Sequence, residues 1–444
     1  MSTAAAPQSK TGGFTRDAHD TFLRDRDEPE WLIARRREAL SRMETAPWPT
    51  LRDEEWRRTD IRMLKLATFA PPRVHEPSAE SRTALAQAHQ ALGAHYATGL
   101  LQIDGAVVHQ PATAAQLPPG VVFTDLATAA REHPELLRRF LHTEAVDPAI
   151  DVFSALHAAF WTGGVLLHVP KGVKVETPLY HLVGLSSEGA ADLSHALVIL
   201  EDGAEATLVQ ETASSGRTQP GLHVGAVELI VGSRAQLRFV NIQNWDQHTW
   251  HFSRERALVG RDASLQWTVG GLGSRLAKVN QEVALAEQGA SAQVNGAMFT
   301  AGRQNLTYIT RQDHISHHTT SDLLYKGVLK DSSRIVWKGM IRVEKDAQRT
   351  DAYQKNDDLV LSDTARADSI PGLEIEANDV RCTHGATCGR VDDDMIFYLG
   401  SRGIPRETAI RLIVEGFFAN VYDRITLEPV RETLRKAVAQ RLAL

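Results

Sequence analysis

The sequence predicts a mainly β protein, a β-solenoid core between two helical regions, and two observations carry that prediction. Turn glycines recur at Gly172, Gly203, Gly232, Gly260 and Gly289, at intervals of 31, 29, 28 and 29. Between them lie short aliphatic runs (Gly164-Val-Leu-Leu-His-Val, Ala196-Leu-Val-Ile-Leu, Val227-Glu-Leu-Ile-Val), and helical periodicity is absent for some two hundred residues after Gly163. A fixed period of turns and strands without helices marks coils that stack, because one coil cannot bury its apolar face alone. Alternating segments such as Ala235-Gln-Leu-Arg-Phe and Ala263-Ser-Leu-Gln-Trp, and Arg334-Ile-Val-Trp further on, fit the same scheme. Turns at Asp331, Asp346 and Asp363 continue it at shorter spacing. On the repeat alone a β-sandwich remains the alternative.

The region before the core, residues 1–99, reads as helical. Met1 to Asp17 lacks the apolar segment of a secretory signal and reads as a short disordered leader. Pro29 suits the first turn of a helix from Glu30, whose Leu32, Ala39, Leu40 and Met43 share a face. A second helix is expected from Ser81 to Tyr96, after a loop holding Pro71, Pro72 and Pro77. The middle region, residues 100–391, opens with a hairpin over Leu101 to His109. Its turn is Asp104-Gly105, a pair suited to positive φ. Short helices near Asp125 to Leu141 and Asp151 to Trp161 lead into the solenoid.

The last region, residues 392–444, returns to helix. Asp392 is placed to cap a segment through Leu399, with Gly403 closing it. The helix after Pro405 carries Ile410, Ile413, Val414, Phe417, Phe418 and Val421, an apolar face too wide for a helix lying on solvent. A final helix aligns Val430, Leu434, Ala437 and Val438. Such helices either pack on one another or offer a surface to a partner.

Composition narrows the function. The 444 residues are 43% hydrophobic and 23% charged, the balance of a soluble globular chain, with no apolar run long enough to span a bilayer. A net charge of -6 argues against a nucleic-acid binder. The two cysteines, Cys382 and Cys388, cannot make a disulfide framework and point to a reducing compartment, so the cytoplasm is expected. No G-x-x-x-x-G-K-[ST] loop, G-x-S-x-G elbow or H-E-x-x-H motif is present, so the chain is expected to bind no nucleotide and to have no catalytic centre of its own. Gly270-Gly-Leu-Gly273 lacks the lysine of a phosphate loop and reads as a solenoid turn.

Cys382-Thr-His384-Gly-Ala-Thr-Cys388 is the most informative short segment. On a strand, Cys382 and His384 share a face, and a thiolate with an imidazole suits iron or zinc. A buried thiol and a hydrogen-bonded imidazole are the structural alternative. Asp313-His-Ile-Ser-His-His318 would place His314, Ser316 and His318 together, for polar ladder contacts or a metal. His248 and His251 show no pattern. Asp357-Asp358 and Asp392-Asp393-Asp394 read as loop and helix-start acids.

Taken in order, several segments resemble the SufB/SufD family over nearly the whole chain. Glu28-Pro-Glu-Trp-Leu, Glu54-Glu-Trp-Arg-Arg-Thr-Asp60, Ala159-Phe-Trp-Thr-Gly-Gly and Val169-Pro-Lys-Gly-Val173 look like its entry motifs. Arg311-Gln-Asp-His, Asp322-Leu-Leu-Tyr-Lys-Gly-Val328, Trp337-Lys-Gly-Met340, Lys345-Asp-Ala-Gln-Arg-Thr-Asp351, Leu359-Val-Leu-Ser362, His384-Gly-Ala-Thr387 and Phe397-Tyr-Leu-Gly-Ser-Arg-Gly-Ile404 continue the match. The resemblance implies a right-handed parallel β-helix between N- and C-terminal helical domains. It further implies a non-catalytic scaffold subunit for iron–sulfur cluster assembly. In that picture a SufB-type paralogue shares a transient iron–sulfur cluster with this chain, and SufC-type ATPases dock on the C-terminal helices, where Ile413, Phe417 and Val421 are the candidate contacts. A homodimer is expected when the chain is expressed alone.

Two departures decide the branch. SufB-type chains place a cysteine before Asp-Ser, where Ala367 precedes Asp368-Ser369, and carry His-Glu-Ala-Thr where His384-Gly385-Ala-Thr stands. The chain therefore resembles the SufD-type branch, and His384 matches its interface histidine, with Cys382 two residues before it. His384 is the candidate cluster or iron ligand and Cys382 its companion. A β-helix polysaccharide lyase or hydrolase is the rival from another class; it would need paired carboxylates or a calcium site in the repeat. A zinc protein built on Cys382, His384 and Cys388 is a third reading.

Overall fold

The computed structural model describes residues 13–71, 98–109, 117–186, 191–214 and 220–443, with the single positions 83 and 189. The helix expected over Ser81 to Tyr96 lies outside the described residues. Two sheets of ten strands face each other, and almost every strand pairs parallel with the strand one coil away. The chain alternates between them, which makes a flattened β-solenoid. The side chains that meet between the sheets form one core, from Val165, Leu167 and Leu208 to Leu323, Ile335 and Trp337.

The glycine column has a local cause and one correction. Gly172, Gly203 and Gly289 hold φ near +70, as a tight turn between sheets requires. Gly232 and Gly260 do not. There the left-handed residues are Arg234 and Asp262, and each glycine instead lets the coil below approach: a Cβ on Gly232 would lie 2.8 Å from Leu200 O. The irregular spacing of Asp331, Asp346 and Asp363 also resolves. Asp331 and Asp363 sit on one side of the solenoid and Asp346 on the other, so the spacing is that of two columns of turns.

Eight α-helices among the described residues form the outer layers. The first sheet runs from the hairpin Thr98–Ile103/Ala106–His109, whose turn residues Asp104 and Gly105 both have positive φ, to the strand Arg381–Arg390. Its outer face carries α7 (Arg406–Tyr422) and α8 (Glu428–Ala443), which bury Val414, Phe418, Val421, Val430, Leu434 and Val438 against Val209, Val240, Ile242 and Phe299. The second sheet runs from Val122–Asp125 to Arg366–Ile375. Its outer face carries α1 (Arg16–Arg24), α2 (Glu30–Thr45), α3 (Leu126–Glu132), α4 (Pro134–Phe140) and α5 (Val152–Phe160). The helices are thus layers on two faces of the solenoid. The end of the expected leader is ordered: Phe14 is fully buried and α1 begins at Arg16, while residues 1–12 lie outside the described residues. The expected helix near Asp125 to Leu141 is two, since His133-Pro134 breaks α3 from α4. Asp392 caps α6 (Asp393–Ser401) by accepting from Asp394 N, and Gly403 follows at φ +79.

The entry motifs turn out to be clamps. Glu28 pairs with Arg36, a guanidinium with no exposure that also donates to Ala159 O and Trp161 O. Trp56 stacks on Phe153, which stacks on Phe252 at 4.0 Å, and Thr59 bonds Thr307 at 2.9 Å. The first ties α2 to the end of α5, and the other two tie an early segment to the second sheet. Asp357-Asp358 is not a loop; both residues lie in the strand Asp351–Val360.

Candidate functional site

The two sheets end differently at their last strands. Arg366–Ile375 and Arg381–Arg390 each pair on one side only, with Arg334–Val343 and Asp351–Val360, and their other edges are bare among the described residues. Coil-on-coil register fixes what faces inward there. Cys382 stacks on Ala352, His384 on Gln354 and Cys388 on Asp358, so this row of alternate residues faces the mouth of the bore. His384 and Cys388 are exposed and Cys382 half-buried. His384 has no hydrogen-bond partner among the described residues. On the facing strand, Ala367 stacks on Ile335 and packs against the core.

Beneath that row the bore changes from apolar to polar. Leu323 and Tyr325 give way one coil later to Gln354 and Asn356. Gln354 Nε2 donates to Gly372 O at 2.9 Å, and Asn356 Nδ2 to Asp358 Oδ2 at 2.7 Å and Ser369 Oγ at 3.0 Å. Gln354 Oε1, Asn356 Oδ1 and Asp358 Oδ1 remain buried without a partner among the described residues. Gly327 makes room for this group, since a Cβ would stand 2.3 Å from Asp358 Oδ1. Burial pushes the Asp358 carboxyl up to about 7, with Asp357 adding to the rise against the Asn356 bond.

The thiols are not activated. Partial burial raises the Cys382 pKa, and burial first, then Asp358 and Asp368, raises that of Cys388. An extended strand also spaces His384 and Cys388 about 13 Å apart, at roughly 3.3 Å per residue. Those two cannot share one ion within a single chain, which overturns the zinc reading on Cys382, His384 and Cys388. The row can present separate ligands to something arriving at the mouth.

Comparison with known proteins decides what such a mouth belongs to. Residues 17–180 match the model of the SufBD protein N-terminal region, and residues 183–417 match the SufBD core domain of the SUF system for FeS cluster assembly. The chain belongs to the SufBD family.

Relatives of this SufBD chain cover nearly all of it. It is 30% identical to the iron–sulfur cluster assembly protein SufD of Bacillus subtilis over 95% of this chain and 96% of the relative. It is 26% identical to SufB of the same organism, over 94% and 90%. A SufBD family protein of Staphylococcus saprophyticus matches at 27%, again over 94% and 90%. The sequence reading of the family and of a mainly β, parallel solenoid fold therefore stands.

The remaining residues singled out in the sequence fall as follows. Val421 has no exposed surface and belongs to the core under α7, so it offers nothing to a partner. Ile413 and Phe417 are half-buried, and Lys326 Nζ holds Phe417 from inside, 2.7 Å from its carbonyl and 4.5 Å from its ring centre. The exposed apolar side chains of this layer are Met395, Phe397 and Tyr398 on α6 and Leu412 on α7, with Phe397 77% exposed. His314 is a ladder residue, bonded to Thr319 Oγ1 at 2.7 Å and Ser321 Oγ at 2.8 Å. His318 leaves its expected face because it turns at φ 57; it meets His317 at the surface. His251, unpatterned in sequence, lies in the bore stacked on His223 with Nδ1 atoms 2.7 Å apart.

Sequence reasoning missed a second group altogether. His142, His157 and His195 meet with Glu228 between the second sheet and α4–α5. Burial, with the neighbouring imidazoles, drives His142 and His157 well below the ordinary histidine range. Burial alone takes His195 down to about 3. The spacings of 15 and 38 residues match no motif, so no signal in the sequence announced them.

Proposed function

We propose that this chain is the SufD-type, non-catalytic scaffold subunit of a cluster-assembly complex. It pairs through its open solenoid end with a SufB-type paralogue and contributes His384 to a nascent iron–sulfur cluster at the shared interface. The observation that carries the reading is the last coil: two bare strand edges flank an exposed His384 that has no partner of its own. Bare edges are templates for pairing with another chain, and folded proteins otherwise cover them. The departures at Ala367 and Gly385 support the assignment of roles. This chain lacks the thiol and the carboxylate that the SufB-type branch places there, so the thiolate would come from the partner.

The chemistry asked of this chain is modest. A neutral imidazole at the mouth donates a lone pair to iron while Cys382 and Cys388, held protonated at neutral pH, stay out of competition as nucleophiles. Iron and sulfide are the cargo here. Energy would come from SufC-type ATPases docked on the C-terminal layer, where Met395, Phe397 and Tyr398 offer exposed apolar area beside the half-buried Ile413 and Phe417. Closure of the ATPases would pull on α6, which packs on α7, and through it on α7, which rests on the same sheet as the His384 strand. Such coupling works only if the two states differ in contact at that interface. The setting is a reducing, cytoplasmic one, in keeping with two free cysteines. The same open edges would let the chain pair with itself when the paralogue is absent.

The test is co-expression of the complex with His384→Ala, followed by measurement of iron and sulfide per recovered complex. Loss of cluster with the complex intact supports the proposal. Full cluster loading overturns the role of His384, and a chain that never captures the SufB-type partner overturns the pairing.

A further inference from the structure

The buried histidine group on the other side of the molecule leaves three ring nitrogens, both of His142 and Nε2 of His195, without a hydrogen-bond partner among the described residues. His157 Nδ1 lies 2.9 Å from Val224 O, a pure acceptor, so Nδ1 carries the proton and Nε2 presents a lone pair. That lone pair accepts from His195 Nδ1, 3.1 Å away. The other nitrogen of His195, Nε2, stands 3.1 Å from Glu228 Oε1, off the line of a good hydrogen bond and without a partner among the described residues. His142 completes the group from the side, its ring 4.8 Å from that of His195 and 5.3 Å from that of His157. Both of its nitrogens are shielded from solvent and without a partner among the described residues.

A cation between the three rings would take a lone pair from each and leave the His195 proton on Nε2, facing Glu228. We propose that His142, His157 and His195 bind one divalent transition-metal ion of the zinc or iron(II) type, with Glu228 as the outer carboxylate that orients His195. The three ligand atoms lie within 4.8 Å of one another. A tetrahedral site with bonds of about 2.1 Å needs nitrogen separations of about 3.4 Å, so His157 and His195 are already placed and only His142 has to close. Three imidazoles suit a borderline ion and leave a fourth position open. The outer contacts are those that ligating histidines usually make: a backbone carbonyl behind His157 and a carboxylate behind His195.

Glu228 is itself fixed, accepting from His142 N at 2.7 Å and Val146 N at 3.2 Å. His142 takes a left-handed backbone, φ 55, to reach the group. Strain of that kind persists where the surroundings over-determine it. Access exists from the His142 side, through a cavity of about 210 Å³ lined by Arg35, Arg42, Thr143 and Asp147. The ion would staple the turn after α4 to α5 and the second sheet. It is separate from the cargo handled near His384.

The full-length chain, stripped with a chelator, would be titrated with Co(II) and then with Zn(II) under anaerobic conditions. The expected result is one Co(II) per chain with the visible bands of four-coordinate nitrogen ligation, displaced by Zn(II), and a rise in Tm on loading. His142→Ala should weaken binding by about 100-fold or more and abolish the Tm rise while the apo chain keeps its fold, because that ring holds no hydrogen bond. Glu228→Gln should weaken it by about tenfold to a hundredfold, the usual cost of losing an outer-shell carboxylate. The surface pair His317→Ala/His318→Ala should bind as the parent does. Absence of tetrahedral Co(II) bands, undiminished binding by His142→Ala, or loss of binding in the His317/His318 variant would each overturn the site.

Discussion

The two ends of the solenoid are built from the same kind of strand and finished in opposite ways. At the first end each sheet is closed by a short antiparallel strand, Ala106–His109 on one and Val122–Asp125 on the other, and helices bury the outer faces around Leu126, Leu137 and Trp161. At the last end neither sheet has a closing strand among the described residues; Arg366–Ile375 is mostly half-buried and Arg381–Arg390 largely exposed. Folded proteins rarely leave long edges uncovered without a purpose, because unpaired N–H and C=O groups recruit other chains. The difference separates two kinds of residue: those at the first end that hold the fold, and those at the last end that the proposed pairing would use.

The largest expected effect tests the open end. His384→Ala should remove most of the cluster assembled by the co-expressed complex, with the chain's Tm within about 1 °C of the parent, since exposed positions contribute within roughly ±0.5 kcal/mol. Cys382→Ser should lower assembly less. A large fall in Tm for His384→Ala would make it a structural residue and erase the contrast.

Under the helical layers the balance should reverse. Phe153→Ala removes a ring packed on Phe252 and Trp56 and should cost about 3–5 kcal/mol in denaturant unfolding. Phe418→Ala under the C-terminal layer belongs to the same class. By contrast, Phe397→Ala with Tyr398→Ala should leave unfolding nearly unchanged and weaken capture of the ATPase partner by about tenfold or more, as loss of an aromatic anchor does. Unchanged capture would move the docking face away from α6.

Hydrogen exchange sharpens the comparison at the level of backbone. Amides of Arg381–Arg390 that face the bare edge should exchange rapidly in the isolated chain and become protected in the paired complex, whereas those of Gly164–Val169 should be slow in both. Protection already present in the monomer would mean that the edge is covered from within.

The smallest effect concerns pH. Burial raises the Glu255 carboxyl to about 7, against its bonds from Ser253 and Asn241. A group whose folded pKa lies above its unfolded value holds its proton more tightly in the native state. Its contribution is complete below about pH 4.5 and declines as pH rises through 7. Glu255→Gln should therefore gain Tm relative to the parent as pH is raised from 5 to 8. A difference that is flat over that window would place the Glu255 proton elsewhere.

Local chemistry was legible in the sequence because local chemistry caused it. Asp104-Gly105 makes a turn by its own φ preference, Asp392 caps by its own carboxylate, and the recurring glycines mark coils because every coil solves the same turn problem. The family could be read for the same reason, in ordered motifs whose residues proved to be clamps such as Glu28 with Arg36 and Trp56 with Phe153. Tertiary structure alone decided the rest. It turned the wide apolar face of α7 inward, which buried Val421 and left Phe397 and Tyr398 outside. It placed the row of His384 over a polar bore, and it gathered His142, His157 and His195 from a turn, a helix and a strand. Ligand geometry is set by coils stacking and helices docking on them, contacts between residues far apart in the chain, and no spacing in a sequence encodes such distances.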